Sequence, residues 1–210
     1  MSEFGGFIQD EVANDELDRI EAAYGPLAAA VRELVDATIR STVPPEEAAL
    51  ALAEVEAVVK RLRAQQMPGP AGVRFNSEGR AWNWGNAVVG LRNAIAPPLE
   101  IVHVRSGLAH ANVDLGAAYE GPPGLVHGGA TALLLDHIMG ETAAAAFTRV
   151  TFTGTLTMVY RRGTPLGPLR LDARIDREEG RKVWVVASIG DEEGPTVEAE
   201  GIFIIPRWAT

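Results

Sequence analysis

The chain has 210 residues, of which 47% are hydrophobic, so it can bury the core of one domain together with an extension. Its net charge of −9 argues against a nucleic-acid partner, because phosphate contacts need a basic face. The absence of cysteine excludes thiol catalysis, disulfide bonds and cysteine-based zinc sites.

The beginning of the chain, MSEFGGFIQDEVANDELDRIEAA, lacks the basic and then apolar regions of a secretory signal. No apolar run elsewhere in the sequence is long enough to span a membrane. We therefore expect a soluble cytoplasmic protein that has no membrane partner.

Helical patterns dominate the first third of the chain. Residues 15–40 carry apolar side chains at helical spacing, and Gly25-Pro26 is expected to divide this helix into two pieces. A double proline followed by two glutamates then marks the start of a second helix, which ends before the break MPGPAG. We therefore predict an N-terminal helical extension over residues 1–66 and the main domain over residues 67–210.

Strand patterns dominate the rest. Residues 73–98 show few periodic signals and are expected to form an irregular loop. Two strand-like segments follow, then an apolar helix over roughly residues 129–147, then four more strand-like segments. In chain order these segments read LEIVHVR, GLAHANVDLGAAYE, TFTGTLTMVYRR, PLRLDARIDRE, RKVWVVASIG and TVEAEGIFIIP. Strict alternation in the third segment puts Thr153 on the same face as Thr155, opposite Leu156.

The helix over residues 129–147 is apolar nearly all round, so it must be buried on most of its sides. A curved antiparallel sheet wrapped around this single helix would bury the helix on most of its sides and would use the strands that flank it. We therefore predict an α+β fold of this kind.

The segment His127-Gly128-Gly129 lies where a loop enters that helix. The first N–H groups of a helix have no internal partner, and glycine lets a ligand oxygen approach them, as an oxyanion hole requires. Asp136 follows two turns later on nearly the same face, and Gly140 leaves space beside it. An apolar setting would make this carboxylate a stronger base or nucleophile. A salt bridge to an arginine, or exposure to water, is the alternative explanation for Asp136.

Three stretches carry a resemblance to a known family: GPPGLVHGGATALLLDHIMG, TGTLTMVYRRGTPL and EEGRKVWVVASI. Together they resemble the PaaI-type acyl-CoA thioesterases of the hot-dog superfamily, especially the branch that includes the human mitochondrial thioesterase superfamily members. The resemblance covers about residues 90–205. It implies the hot-dog fold, hydrolysis of an acyl-CoA to a free acid and coenzyme A, and a place in fatty acid metabolism.

The resemblance also implies roles for individual residues. Asp136 would act as general base or nucleophile, and the N–H of Gly129 would polarise the thioester carbonyl. His127 would set the loop and bond near the thioester. Thr153 would position the water, from the other subunit of a dimer in which each active site uses residues of both chains.

Further residues are candidates for substrate binding. Gly128 is a candidate as part of the His-Gly-Gly segment, and Asn93 is one because it precedes APPL, which resembles the loop that often comes before the first strand in this family. Basic side chains at strand ends are candidates for the coenzyme A phosphates, with solvated hairpin charges as the alternative reading. These side chains are Arg161, Arg162, Arg181 and Lys182. We expect no metal and no cofactor, and a homodimer or a dimer of dimers.

Two other functions stay open at the level of sequence. One is an enoyl-thioester hydratase or dehydratase on the same fold, which would pair His127 with Asp136. The other is a non-catalytic acyl-CoA-binding protein, which the N-terminal helices would permit. The sequence does not define the length or the aromatic character of the acyl group.

Overall fold

The computed structural model of the chain describes residues 7–145 and 148–209. The chain divides into two compact units, residues 1–94 and residues 95–210.

The first unit contains two long helices and a small sheet. Its elements are β1 (Phe7–Gln9), α1 (Asn14–Arg40), α2 (Pro45–Arg63), β2 (Val73–Phe75) and β3 (Ala81–Trp82). The strands form a three-stranded sheet in the order β1-β2-β3, in which β1 pairs with β2 in parallel and β2 pairs with β3 antiparallel. This sheet lies in segments for which the sequence shows no strand periodicity.

Helix α1 is continuous, so the expected break at Gly25-Pro26 is wrong. A proline inside a helix costs about 3 kcal/mol, because it removes one backbone hydrogen bond and crowds the preceding turn. The apolar side chains Leu17 and Ala28 are buried on either side of Pro26 and hold both halves in place. Burial therefore outweighs the local cost of the proline.

The second unit is one sheet and one helix. Its elements are β4 (Glu100–Arg105), β5 (Leu108–Leu115), α3 (Gly128–Ala143), β6 (Phe152–Tyr160), β7 (Gly167–Glu179), β8 (Lys182–Asp191) and β9 (Gly194–Ile204). The sheet has the strand order β4-β5-β7-β8-β9-β6, and every neighbouring pair is antiparallel. This architecture confirms the predicted antiparallel sheet wrapped around a central helix.

The core lies between α3 and the face of the sheet that it covers, here called the inner face. Alternate residues of β8 point to this face and are buried, as a half-covered strand requires. From the helix side, Leu134, Leu135, Ile138 and Met139 are at most 2% exposed. Seven of the sixteen residues of α3 are buried, which agrees with its apolar composition.

Strand β6 lies at one edge of the sheet and contains a β-bulge. The register of β6 on β9 shifts between Thr153 and Thr155, so Gly154 is the extra residue. Thr153 pairs with Phe203, a buried inner-face residue, whereas Thr155 pairs with Ile202 on the outer face. The expectation that these two threonines share one face is therefore wrong, because the bulge reverses the alternation at this point.

One side of α3 is not covered by the sheet. Gly129 and Leu133 are exposed, and Asp136 is partly exposed. The adjacent edge strand β6 is exposed along most of its length. Within the described residues, no helix is both long enough and apolar enough to cross a membrane.

Candidate active site

The imidazole of His127 caps the start of α3. Its Nδ1 accepts a hydrogen bond of 2.9 Å from the N–H of Gly129, and its carbonyl accepts from Ala130 and Thr131. A ring nitrogen that accepts is unprotonated, so the ring proton of a neutral His127 lies on Nε2. The sequence predicted an open N–H at Gly129, but in the structure this group is already bonded to the side chain of its own helix cap.

The loop before α3 is fixed by backbone hydrogen bonds and close packing. The N–H of His127 donates to the carbonyl of Tyr119 at 2.8 Å, and the N–H of Val126 donates to the carbonyl of Thr164 at 2.8 Å. A side chain at Gly121 would lie 2.8 Å from the Cα of His127, so only glycine fits there. The sequence analysis did not assign a role in fixing this loop to the GPPG turn before the helix. The residue that could have indicated it is Gly121, the first glycine of that turn.

Tyr160 joins the end of β6 to the start of α3. Its hydroxyl donates to the carbonyl of Gly128 at 3.0 Å, and its ring lies against Gly128. Tyr160 thus positions the helix cap. The proposed contact of Gly128 with substrate stays a prediction.

Asp136 and Thr153 form the central polar pair. The Thr153 hydroxyl donates to Oδ1 of Asp136 at 2.9 Å. The bulge at Gly154 makes this bond possible, because it turns Thr153 toward the inner face and the helix. Both residues belong to the same chain, whereas the resemblance implied that Thr153 acts from the other subunit, and its role in positioning water stays a prediction.

The carboxylate of Asp136 is neither deeply buried nor part of an ion pair among the described residues. The alternative of an arginine partner therefore finds no support in this part of the chain. One carboxylate oxygen is held by Thr153, and the side chain reaches solvent on the uncovered side of α3.

The N–H of Gly129 and the carboxylate of Asp136 lie far apart within one chain. Seven residues of α-helix separate them, which is about 10.5 Å along the helix axis. A single thioester carbonyl cannot contact both groups at that separation. The sequence predicts Gly129 and Asp136 on nearly the same face of α3. One protomer alone nevertheless does not bring the N–H of Gly129 and the carboxylate of Asp136 close enough to act on one thioester.

The four basic candidates lie at two opposite ends of the sheet. Arg161 and Arg162 directly follow β6. Lys182 instead pairs with Ile204, the partner of Phe152 at the start of β6. The length of β6 separates these ends, about 27 Å at 3.4 Å per residue. One chain cannot direct both pairs at one ligand.

Three of the four arginine and lysine side chains have partners in the structure. Arg161 pairs with Glu198 at 2.7 Å on an exposed surface, and Arg181 donates to the carbonyl of Ile205 at 2.9 Å. Arg162 donates to both oxygens of Asp191 and to the carbonyl of Gly194. Among the three arginines, Arg162 therefore makes the most hydrogen bonds within the structure.

The Arg162–Asp191 pair makes stability depend on pH. The hydrogen bonds from Arg162 lower the pKa of the Asp191 carboxyl to about 2. An aspartate in an unfolded chain has a pKa of about 3.9, so the pair stabilises the fold fully above that pH and loses its effect as the pH falls through about 2.

We predict that Asp191→Asn lowers the urea midpoint relative to the native chain at about pH 6, and that this difference disappears on acidification to about pH 2. Urea unfolding of both proteins across this range measures the difference. A gap that stays constant with pH would contradict the contribution of the ionised Asp191.

Asn93, the other candidate for substrate binding, is held within its own loop. Its side-chain amide donates to the carbonyls of Gly85 and Asn86, each at 3.2 Å, and its own carbonyl accepts from Arg32. A contact of Asn93 with substrate stays a prediction.

A histidine–glutamate cluster connects α3 to β4. The carboxylate of Glu141 accepts from His137 at 3.2 Å and from His103 of β4 at 3.3 Å. The contact between His103 and Glu141 links residues 38 apart, so it leaves no local pattern in the sequence. Among the described residues, no group of three or more acidic or histidine side chains is arranged to hold a metal ion.

A six-stranded antiparallel sheet around one helix, with an aspartate–threonine pair on the uncovered side, defines a domain of the hot-dog class. Residues 123–198 match the sequence profile described as Thioesterase superfamily. Over these residues the chain is thus similar to the thioesterase superfamily. A solved thioesterase superfamily protein is similar over nearly the whole chain, with a TM-score of 0.77 and 28% identity over 94% of this chain and 98% of that protein.

Two curated relatives extend the comparison. The chain is 35% identical over 92 residues to acyl-coenzyme A thioesterase THEM4 of Xenopus laevis, over 42% of this chain and 41% of that protein. It is 29% identical over 92 residues to acyl-coenzyme A thioesterase THEM5 of Homo sapiens, over 42% of this chain and 37% of that protein. The chain thus spans less than half the length of the curated relatives it matches.

Proposed function

We propose that the chain hydrolyses an acyl-CoA thioester to a free acid and coenzyme A. The observation that carries this proposal is the hydrogen bond from Thr153 to Asp136 on the uncovered side of α3, within a domain similar to the thioesterase superfamily. The curated relatives named as acyl-coenzyme A thioesterases support the same substrate class.

Asp136 is the proposed base or nucleophile. Thr153 occupies Oδ1 of Asp136 and leaves Oδ2 to accept a proton from water. Attack of that water on the thioester carbon gives a tetrahedral oxyanion, and expulsion of the thiolate then completes hydrolysis. Direct attack by the carboxylate on the thioester carbon would instead expel the coenzyme A thiolate and form an anhydride with the acyl group, which water then cleaves to the free acid and Asp136.

The start of α3 is the proposed oxyanion site. The Nε2–H of His127 can donate to the developing oxyanion while Nδ1 keeps its bond to Gly129. In the alternative arrangement the carbonyl oxygen takes the place of the imidazole, and the N–H of Gly129 is then the donor in its stead. Both groups lie at the positive end of the helix dipole, which favours the oxyanion.

A second copy would bring these groups together. An edge strand with unpaired backbone groups tends to pair with another strand, and a two-fold axis through β6 makes that pairing antiparallel. The Tyr160 end of one β6 then lies beside the Thr153 end of the other. This places Gly129 near the partner's Asp136, although the two are about 10.5 Å apart along one helix.

The same pairing would combine the basic residues. In a dimer with antiparallel β6 strands, Arg161 of one protomer faces the end of the sheet that carries the partner's Arg181 and the partner's Lys182. We propose these three as contacts of the coenzyme A phosphates, with Arg162 mainly supporting the loop through Asp191. We also propose that residues 67–210 form the functional domain and that the protein acts in the cytoplasm.

The decisive experiment measures free thiol released from short, medium, long and aryl acyl-CoAs. We expect release from at least one class at a rate proportional to enzyme. Tight binding without thiol release would favour a non-catalytic binder. Loss of enoyl absorbance without thiol release would favour a hydratase.

Thr153→Val tests the positioning role of the hydroxyl with little change of shape. A hydrogen bond to a charged acceptor contributes about 1.5–3 kcal/mol, so we expect turnover to fall about 10- to 100-fold. Thr153→Ser should retain most activity because it keeps the hydroxyl. Equal rates for the serine and valine variants would contradict a role for the hydrogen bond.

A further inference from the structure

Helix α2 carries one continuous apolar stripe. Its apolar residues recur at intervals of three and four, which places them on one side of the helix. The stripe consists of Ala48, Ala51, Leu52, Val55, Val58, Val59 and Leu62. The opposite side of α2 carries Glu46, Lys60 and Arg61 together with Leu50 and three alanines, Ala49, Ala53 and Ala57.

This stripe is not covered within its own unit. No residue of α2 is buried, and Leu52, Val58 and Leu62 are 58%, 42% and 43% exposed. Within residues 7–94, α2 makes no extended packing against α1 or the three strands. An amphipathic helix gains most of its stability from packing its apolar side, so this stripe requires a partner surface.

The charges of α2 are separated along its length. Glu46 and Glu47 lie in the first turn and Lys60, Arg61 and Arg63 in the last turn, while Glu54 and Glu56 flank Val55 at the centre. A helix with an acidic beginning and a basic end complements a copy of itself that runs in the opposite direction. A parallel copy would instead bring like charges together at each end.

The spacing of the stripe is also symmetric about Val55. Reversing the helix about this residue exchanges Leu52 with Val58 and Ala48 with Leu62, so the apolar positions coincide. The same reversal brings Glu47 level with the partner's Arg63. An isologous interface requires this kind of self-complementarity.

We propose that α2 pairs antiparallel with α2 of a second copy of this chain, with Val55 at the two-fold axis and the apolar stripes in contact. The partner is a second copy and not a lipid surface, because four carboxylates on α2 oppose binding to anionic headgroups. This inference does not depend on the proposed hydrolase activity.

Single cysteines test the pairing in the full-length protein, since the native chain contains none. A short bismaleimide should link Val55→Cys chains into a covalent dimer, because helices pack about 8–10 Å apart. Ala57→Cys, on the opposite side of α2, should give at least several-fold less dimer. Equal linking at both positions, or none at Val55→Cys, would overturn the proposal. If the stripe packed onto α1 of the same chain instead, Val55→Cys chains would not be linked.

Charge exchange tests the direction of the pair in the Val55→Cys background. Glu46→Lys with Glu47→Lys should reduce linking several-fold, and so should Arg61→Glu with Arg63→Glu. A mixture of the two variants should restore linking between unlike chains, because each acidic end then meets a basic end. Failure of the mixture to recover, with both variants folded by circular dichroism, would reject the antiparallel arrangement.

Discussion

Replacing Asp136 with asparagine is expected to lower thioester turnover by about 10²–10⁴-fold, the usual effect of losing general-base assistance. The asparagine oxygen can still accept the hydrogen bond from Thr153, but it cannot take a proton from water or attack the carbonyl. Stability should change by less than about 1 kcal/mol, because Asp136 is partly exposed and has no ion-pair partner among the described residues.

Thiol release and melting temperature should be measured on the same sample of Asp136→Asn. Asp172→Asn is the matched control, since Asp172 pairs with Arg170 on an exposed strand position. The control should retain native turnover. Normal hydrolysis by a folded Asp136→Asn protein would remove this residue from the mechanism.

Leu133→Glu is expected to yield a folded protein with at least about 100-fold lower turnover, since loss of the partner's base alone has this effect. Leu133 is 43% exposed on the uncovered side of α3, next to the edge strand β6. In one chain the glutamate would simply face solvent. In the proposed dimer it would be buried without a partner, which opposes association.

Light scattering and thiol release at the same protein concentration measure both consequences: the mass should fall, at most to that of a pair joined through α2, and turnover should fall with it. Val104→Glu is the control, because Val104 is 58% exposed on β4, which forms the other edge of the sheet. An active monomer of Leu133→Glu would contradict a site shared between two chains.

Mixing two impaired variants tests directly whether each active site uses residues of both chains. Asp136→Asn lacks the base, and His127→Ala lacks the helix cap and its donor. If each site takes the cap from one chain and the base from the other, a mixed dimer contains one intact site. Random exchange should then recover about a quarter of native turnover. No recovery after confirmed exchange would place both groups in one protomer's site.

The fold was predictable because its main signals are local. The apolar character of α3 requires burial on most sides, and the alternating strands that follow it supply the surface. The turn between β7 and β8 has a glycine, Gly180, at a φ of 55°, which is the residue type that a tight hairpin favours. Small elements of the first unit, such as β1, depend on pairing with a distant strand and leave no periodic pattern.

The site was predictable as a set of residues but not as a geometry. Asp136 and Thr153 were both identified, yet their contact within one chain depends on a bulge that strict alternation does not foresee. The bond between His127 and Gly129 depends on a side-chain rotamer. The meeting of His103 with Glu141 depends on tertiary packing.

The bulge at Gly154 also separates β6 into two parts that can vary independently. Beyond it, the outer-face residues Thr155, Thr157 and Val159 follow regular alternation, so changes there do not alter the side chain that meets Asp136. Before it, Thr153 can be exchanged without shifting the register of the edge. Selection could therefore retune the surface of this strand, and with it the association proposed for β6, while the hydrogen bond to Asp136 is preserved.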